Sequence, residues 1–298
     1  MTYPPFKPLP RDLATLRCLQ IAPRMLGTPS LIHPAYGDDI VSALTSPLGG
    51  DALADAHALD DDGYVFDRAA RDDAGYKLIG PLAIIPVQGT LVQRAGWMDA
   101  MSGMTSYSTI RSMLDTALHD ERVRAIAFDV DSGGGEVAGC FDLVDAIYEA
   151  RGIKPMWAVL DECAFSAAYA IASAADTITI PRTGGAGSIG VITLHTDMSR
   201  AIDAAGLTVS IITHGSRKAE GTELQPLDPD ARARIQADIN TLGDLFIDTV
   251  ARNRALPAAA LREMQAGTFM GDQAVAAGLA DFVAAPDIAV EALIEAVA

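Results

Sequence analysis

From position 78 onward the chain alternates short apolar runs with stretches in which apolar residues recur every three or four positions. The runs are LAIIPV (82–87), RAIAFDV (124–130), MWAVL (156–160), TITI (177–180) and TVSII (208–212). Helical patterns fall between them, near 105–119, 136–150, 165–174 and 196–205. Strands alternating with helices imply βαβ crossovers and an α/β fold with a largely parallel sheet. After the last run the period stays helical: extended near 229–254, short near 257–265 and 271–278, then a helical tail. Residues 1–76 have a different texture, proline-rich at the start, with a short helical pattern near 11–26 and an aspartate-heavy stretch from Asp51 to Asp73. The expected organisation is an N-terminal extension or linker over 1–76, a domain over 77–285 and a helical tail over 286–298.

Composition narrows the partners. A chain of 298 residues, half of them hydrophobic, can build one large core with an appendage. The net charge of −17 argues against nucleic acid and anionic membrane, because phosphate binding needs clustered Lys and Arg. A protein or peptide substrate stays open. The three cysteines, Cys18, Cys140 and Cys163, have neither disulfide-framework nor zinc-site spacing, so no metal is expected and a reducing cytoplasm fits. Prolines interrupt the N-terminus where a secretory signal needs an apolar run, and no charge-free apolar stretch of about 18 residues occurs, so neither export nor a membrane span is expected.

Three places could carry chemistry. Asp131-Ser132-Gly133-Gly134-Gly135 follows the run 124–130 and precedes a helical pattern. Its glycines free the backbone to present N–H groups to an oxyanion or phosphate, although a tight strand-to-helix turn explains them equally well. It lacks dinucleotide and P-loop spacing, so no cofactor is expected. Ser166, in Ala164-Phe165-Ser166-Ala167-Ala168-Tyr169, opens a run of small residues after the run 156–160, where a helix N-cap is the ordinary explanation. Lys218, in His214-Gly215-Ser216-Arg217-Lys218-Ala219-Glu220-Gly221, is one of four lysines and sits in a loop leaving the run 208–212; solvated surface is its default reading. The five histidines, His33, His57, His119, His195 and His214, show no pairing with an acid or nucleophile.

Taken together and in order, these elements resemble the signal peptide peptidase A family, and within it the capsid-assembly (prohead) proteases of tailed phages, over about residues 78–283. The matching segments are residues 132–135, Ser166-Ala167-Ala168-Tyr169 running to Ala174-Ala175-Asp176, Gly215-Ser216-Arg217-Lys218, and Gly187-Ser188-Ile189-Gly190-Val191. The phage flavour comes from Gly89-Thr90-Leu91-Val92, Ser102-Gly103-Met104-Thr105-Ser106-Tyr107, and Met270-Gly271-Asp272-Gln273-Ala274 leading to Ala277-Gly278-Leu279-Ala280-Asp281.

The resemblance implies a core like that of the Clp proteolytic subunit and crotonases, with repeated ββα/βαβ units and a helical C-terminal part. It implies a Ser-Lys endopeptidase over 77–285 with Ser166 as nucleophile, Lys218 as general base, Ser188 orienting the lysine, and an oxyanion hole from Gly134, Gly135 and Ala167. The reaction would pass through an acyl-enzyme on extended peptide segments, scaffold or capsid proteins among them, in a homo-oligomer in the cytoplasm of a bacterium, host- or prophage-encoded. Two departures stand out. Gly133 replaces the family's usual proline, and the sequence ends at Ala298 without a scaffold-like region, so the expectation is a separate scaffold protein or a longer chain. Competing readings are a Ser-His-Asp peptidase, a crotonase-type acyl-CoA enzyme and an inactive structural shell protein.

Overall fold

The computed structural model describes residues 28–34, 75–94 and 103–298. Cys18, the helical pattern near 11–26 and the aspartate-rich stretch lie outside them. The strands are β1 (Ser30–Ile32), β2 (Lys77–Ile79), β3 (Leu82–Val92), β4 (Met104–Ser106), β5 (Ala125–Glu136), β6 (Met156–Phe165), β7 (Thr177–Ile180), β8 (Gly185–Gly187), β9 (Thr268–Met270) and β10 (Phe282–Val283). The helices are α1 (Tyr107–His119), α2 (Cys140–Glu149), α3 (Ala167–Ser173), α4 (Ser199–Ala204), α5 (Pro229–Arg254), α6 (Ala258–Glu263), α7 (Gly271–Ala276) and α8 (Pro286–Ala296).

The sheet runs β10-β7-β6-β5-β3-β2, with β1 on β5, β4 on β3, and β8 between β6 and β9. Neighbours from β3 to β10 along that path pair in parallel, while β2 is antiparallel to β3, so the α/β, mostly parallel architecture stands. The near-continuous apolar sequences of β3, β5 and β6 are what such a sheet requires, because helices cover both its faces. Helices α1, α2, α3 and α5 pack one face around Phe128, Leu160 and Ile171. Helix α8 covers the other, where Leu293 and Ala289 meet Leu82, Ile84, Ala127 and Val159. Local signals set the helix ends: Ser106 accepts the Thr109 amide at 3.1 Å to start α1. Asp228 caps α5 ahead of Pro229, and Ala255 ends it in the left-handed region.

Two expectations are corrected. The glycine run does not turn straight into a helix; it stays in the sheet to Glu136, and α2 begins only at Cys140. The reason is that residues 134–136 have partners on both edges, Thr90 and Leu91 of β3 on one and all three residues of β1 on the other. The run 208–212 is not a strand. Its backbone meets no partner strand among the described residues, and Ile212 is 95% exposed.

Candidate active site

Ser166 stands where β6 ends and α3 begins, at φ 55°, ψ −116°. This backbone suits glycine and costs a serine about 1–3 kcal/mol, so surrounding bonds must impose it. They are visible. The Ser166 amide donates to the Gly187 carbonyl at 2.9 Å, and its own carbonyl accepts from Ala170 at 2.9 Å. Helix α3 is tied down at its far end, where Arg151 donates to the carbonyls of Ser173, Ala174 and Ala175. Asn253 Nδ2 reaches Ser173 Oγ at 3.0 Å, and Tyr169 Oη donates to the Leu279 carbonyl at 3.0 Å. The small residues around Ser166 serve this packing, since Ala167, Ala168, Ala170 and Ala172 are all fully buried.

The glycine run lies one strand away, where Ser132 of β5 pairs with Ala164 of β6. Ser132 Oγ donates to the Gly89 carbonyl at 2.6 Å and accepts the Gly134 amide at 3.1 Å. The Gly134 N–H is therefore committed to a side chain of its own strand, whereas Gly135 lies opposite Leu31 in the β1 ladder, so its amide depends on where β1 lies; Gly135 and Ala167 are the stronger candidates of the three expected oxyanion donors. Both glycines are needed sterically. A Cβ on Gly134, which has φ 109°, would collide with the Leu31 carbonyl oxygen, and one on Gly135 with that of Leu91.

Ser188 follows β8, whose residue Gly187 receives the Ser166 amide, so it is anchored next to the nucleophile's backbone. Its own amide donates to the Gly267 carbonyl at 2.9 Å, and it is 5% exposed at φ 54°. Ser166 Oγ is 3.4 Å from the Gly190 carbonyl oxygen. Lys218 is elsewhere: its side chain is exposed, its amide donates to Gly215, and no hydrogen bond joins it to Ser166 or Ser188 among the described residues. The turn that carries it is held by Glu220, which pairs with Arg234 at 2.6 Å and with Arg217 at 3.3 Å. His195 Nε2 lies 3.1 Å from the Thr222 carbonyl, and His214 is exposed.

Electrostatics near the glycine run are acidic. Burial, then the Asp131 and Glu162 carboxylates, raise the pKa of Asp161 on β6. Burial likewise pushes the Cys140 thiol up to about 12, so it is an inert packing group.

One feature near the site had little sequence signal. Strand β1 lies against the glycine run, and the His33 ring stacks on Phe165, the neighbour of Ser166, at 4.8 Å between centroids. The one clue is the apolar pair Leu31-Ile32 between Pro29 and Pro34, inside a segment that otherwise reads as linker.

A model described as Peptidase family S49 matches residues 149–298. The capsid assembly protease C of Escherichia phage lambda is 34% identical over 285 residues, covering 90% of this chain and 64% of that protein. The head-tail preconnector protein GP5 of Enterobacteria phage P21 is 34% identical over 263 residues, covering 85% and 52%. The chloroplastic serine protease SPPA of Arabidopsis thaliana is 25% identical over 205 residues, covering 68% and 30%. The chain thus spans between about half and two thirds of the length of the two phage proteins. Among solved structures, an enoyl-CoA hydratase from Shewanella pealeana is similar with a TM-score of 0.43 at 13% identity, over 75% of this chain and 72% of that one.

Proposed function

The chain belongs to peptidase family S49, and we propose that it is a serine endopeptidase of the Ser-Lys type acting on extended segments of phage head proteins. The observation that carries the reading is the strained, multiply anchored turn at Ser166, set one strand away from a glycine-rich backbone edge. The strain holds a hydroxyl at a fixed point in a dry site, as a nucleophile requires. The family includes peptidases, and the two phage relatives are named for capsid assembly and for a head-tail preconnector, which supplies the substrate class.

In this reading Lys218 removes the Ser166 proton, Ser166 Oγ attacks the peptide carbonyl, and the amides of Gly135 and Ala167 receive the oxyanion. Each such donor is typically worth about 10²–10³ in rate. The C–N bond breaks as the lysine returns the proton to the leaving amine. The acyl-enzyme is then hydrolysed by water that the lysine deprotonates. A lysine does this near pH 7 only if its pKa falls about three units from about 10.4, equivalent to about 4 kcal/mol. An exposed turn cannot supply that. The loop of Lys218 must therefore be carried onto Ser166 and covered, by substrate or by a neighbouring subunit in a homo-oligomer, with Ser188 holding the amine.

The test is labelling by a fluorophosphonate together with turnover of a fluorogenic peptide. Wild type should label at Ser166 and cleave; Ser166→Ala should do neither while keeping its circular dichroism. Lys218→Ala and Lys218→Arg should both be inactive, because arginine does not deprotonate. An active Lys218→Arg protein, or a rate limb titrating near 6.5 as histidine does, would overturn the lysine base.

A further inference from the structure

We infer that Ser30, Leu31 and Ile32 occupy the peptide-binding groove of this same site as an intramolecular strand, so that the groove is closed to substrate until β1 is displaced. The inference deepens the proposed function and rests on Ser166 being the nucleophile and the Gly135 amide an oxyanion donor.

The sheet opens at that point. Strand β6 pairs with β5 only as far as Ala164 opposite Ser132, then turns away to form the Ser166 corner. The chain beyond β8 diverges with it toward Ile192. The gap between residues 134–136 and Ile192 is one strand wide, and β1 fills it. On one side Ser30, Leu31 and Ile32 pair antiparallel with Glu136, Gly135 and Gly134. On the other, the Ser30 amide donates to the Ile192 carbonyl at 2.8 Å, and the Ile192 amide donates to the Ser30 carbonyl at 3.0 Å.

The phase of the ladder decides what β1 blocks. The His33 amide donates to the Gly133 carbonyl at 2.8 Å. Alternate residues of an antiparallel strand turn their polar groups to the same side, so Gly135, two positions on, also faces β1. Its register partner is Leu31. Leu31 therefore stands where the residue giving the scissile carbonyl would stand. Strands pair about 4.7–4.9 Å apart, so a second chain cannot share that edge.

Burial agrees with an occupied groove. Ser166 and Leu31 are 0% exposed, Ile32 is 4% and Ser188 5%, so the candidate nucleophile is sealed in this state. A tethered strand also has an advantage over substrate, because its effective concentration is on the order of millimolar without any tighter contact.

The test uses the full chain carrying Ser166→Ala, so that nothing is cleaved, and a fluorescein-labelled peptide of the sequence of residues 28–34. Adding Ser30→Pro removes the amide bond to Ile192 and should tighten peptide binding, read by anisotropy, by about tenfold or more, as expected if β1 occupies the groove at least nine-tenths of the time. A second variant, Ser30→Cys with Glu136→Cys, joins facing residues of the pair. Oxidised, it should bind no peptide, and reductant should restore binding. In the Ser166 background the same lock should stop fluorophosphonate labelling reversibly. Should Ser30→Pro fail to fold, the locked pair alone decides. Equal peptide binding by locked and reduced protein overturns the inference. Binding that obeys the lock, in a protein that never labels or cleaves, leaves the groove assignment standing and removes the peptidase reading instead.

Discussion

Ser166 holds a conformation that its side chain resists, and this makes a stability prediction opposite in sign to the activity one. Glycine adopts φ 55°, ψ −116° without strain, so Ser166→Gly should gain about 1 kcal/mol and raise Tm by about 2–4 °C in calorimetry, while ending peptide hydrolysis. A lowered Tm would show that the corner is relaxed. Asp161 makes a second prediction, through pH. Its folded pKa is raised, so the ionised form is disfavoured in the native state: its stability contribution is fully present below the ordinary carboxylate pKa and is lost as pH rises through the raised value. Asp161→Asn should therefore stabilise the protein at pH about 7, and this gain should shrink toward pH about 4. A gain of equal size at both pH values would point to a cause other than charge. The crowded corner at Ser166 is legible in sequence, because the small residues that follow it are those a tightly packed helix start needs. The commitment of the Gly134 amide to Ser132 is not, since only geometry shows which amides are already used.

At the scale of elements, apolar runs were read well wherever burial is two-sided. The runs at 82–87, 124–130, 156–160 and 177–180 all became strands, three of them longer than expected, because β3, β5 and β6 each keep pairing beyond their apolar runs, through Gly89 and Thr90, through Ser132 and the glycines, and through Cys163 to Phe165. The 208–212 run failed because a strand needs a partner edge as well as a pattern, and none of the described residues offers it one. Strand β1 escaped for the converse reason: three residues among prolines carry too little pattern, yet an edge was waiting. Helix α8 reads as a tail by position, but its packing against the second face of the sheet predicts a cost for cutting it back. Leu293 is fully buried there, so Leu293→Ala should lose about 2–5 kcal/mol in urea unfolding. A change within about 0.5 kcal/mol would mark the helix as peripheral.

At the scale of the whole molecule, two features of the single chain are incomplete in the same region. The arm that leads to Lys218 exposes Leu207 at 60%, Val209 at 46%, Ile211 at 40% and Ile212 at 95%, and burying such a side chain is worth about 1.5–3 kcal/mol. The first half of α5 stands beside the Lys218 turn, where Arg234 pairs with Glu220, and leaves Ile235, Ile239 and Leu242 only partly covered, whereas Phe246 and Val250 in its second half are fully buried. A lysine base requires cover over the same arm, because water keeps an exposed ammonium charged. One neighbour could meet both needs, by sheltering the apolar arm and drying the Lys218 turn together. Light scattering at micromolar concentration should accordingly give a multiple of the 31.2 kDa chain mass. Ile212→Asp would place a charge at the most exposed point of the arm, and should shift the mass toward the monomer and reduce peptide turnover in parallel. Ser166→Ala should keep the assembled mass. A wild-type monomer that stays fully active on dilution would sink the idea, because the base would then be working without a neighbour.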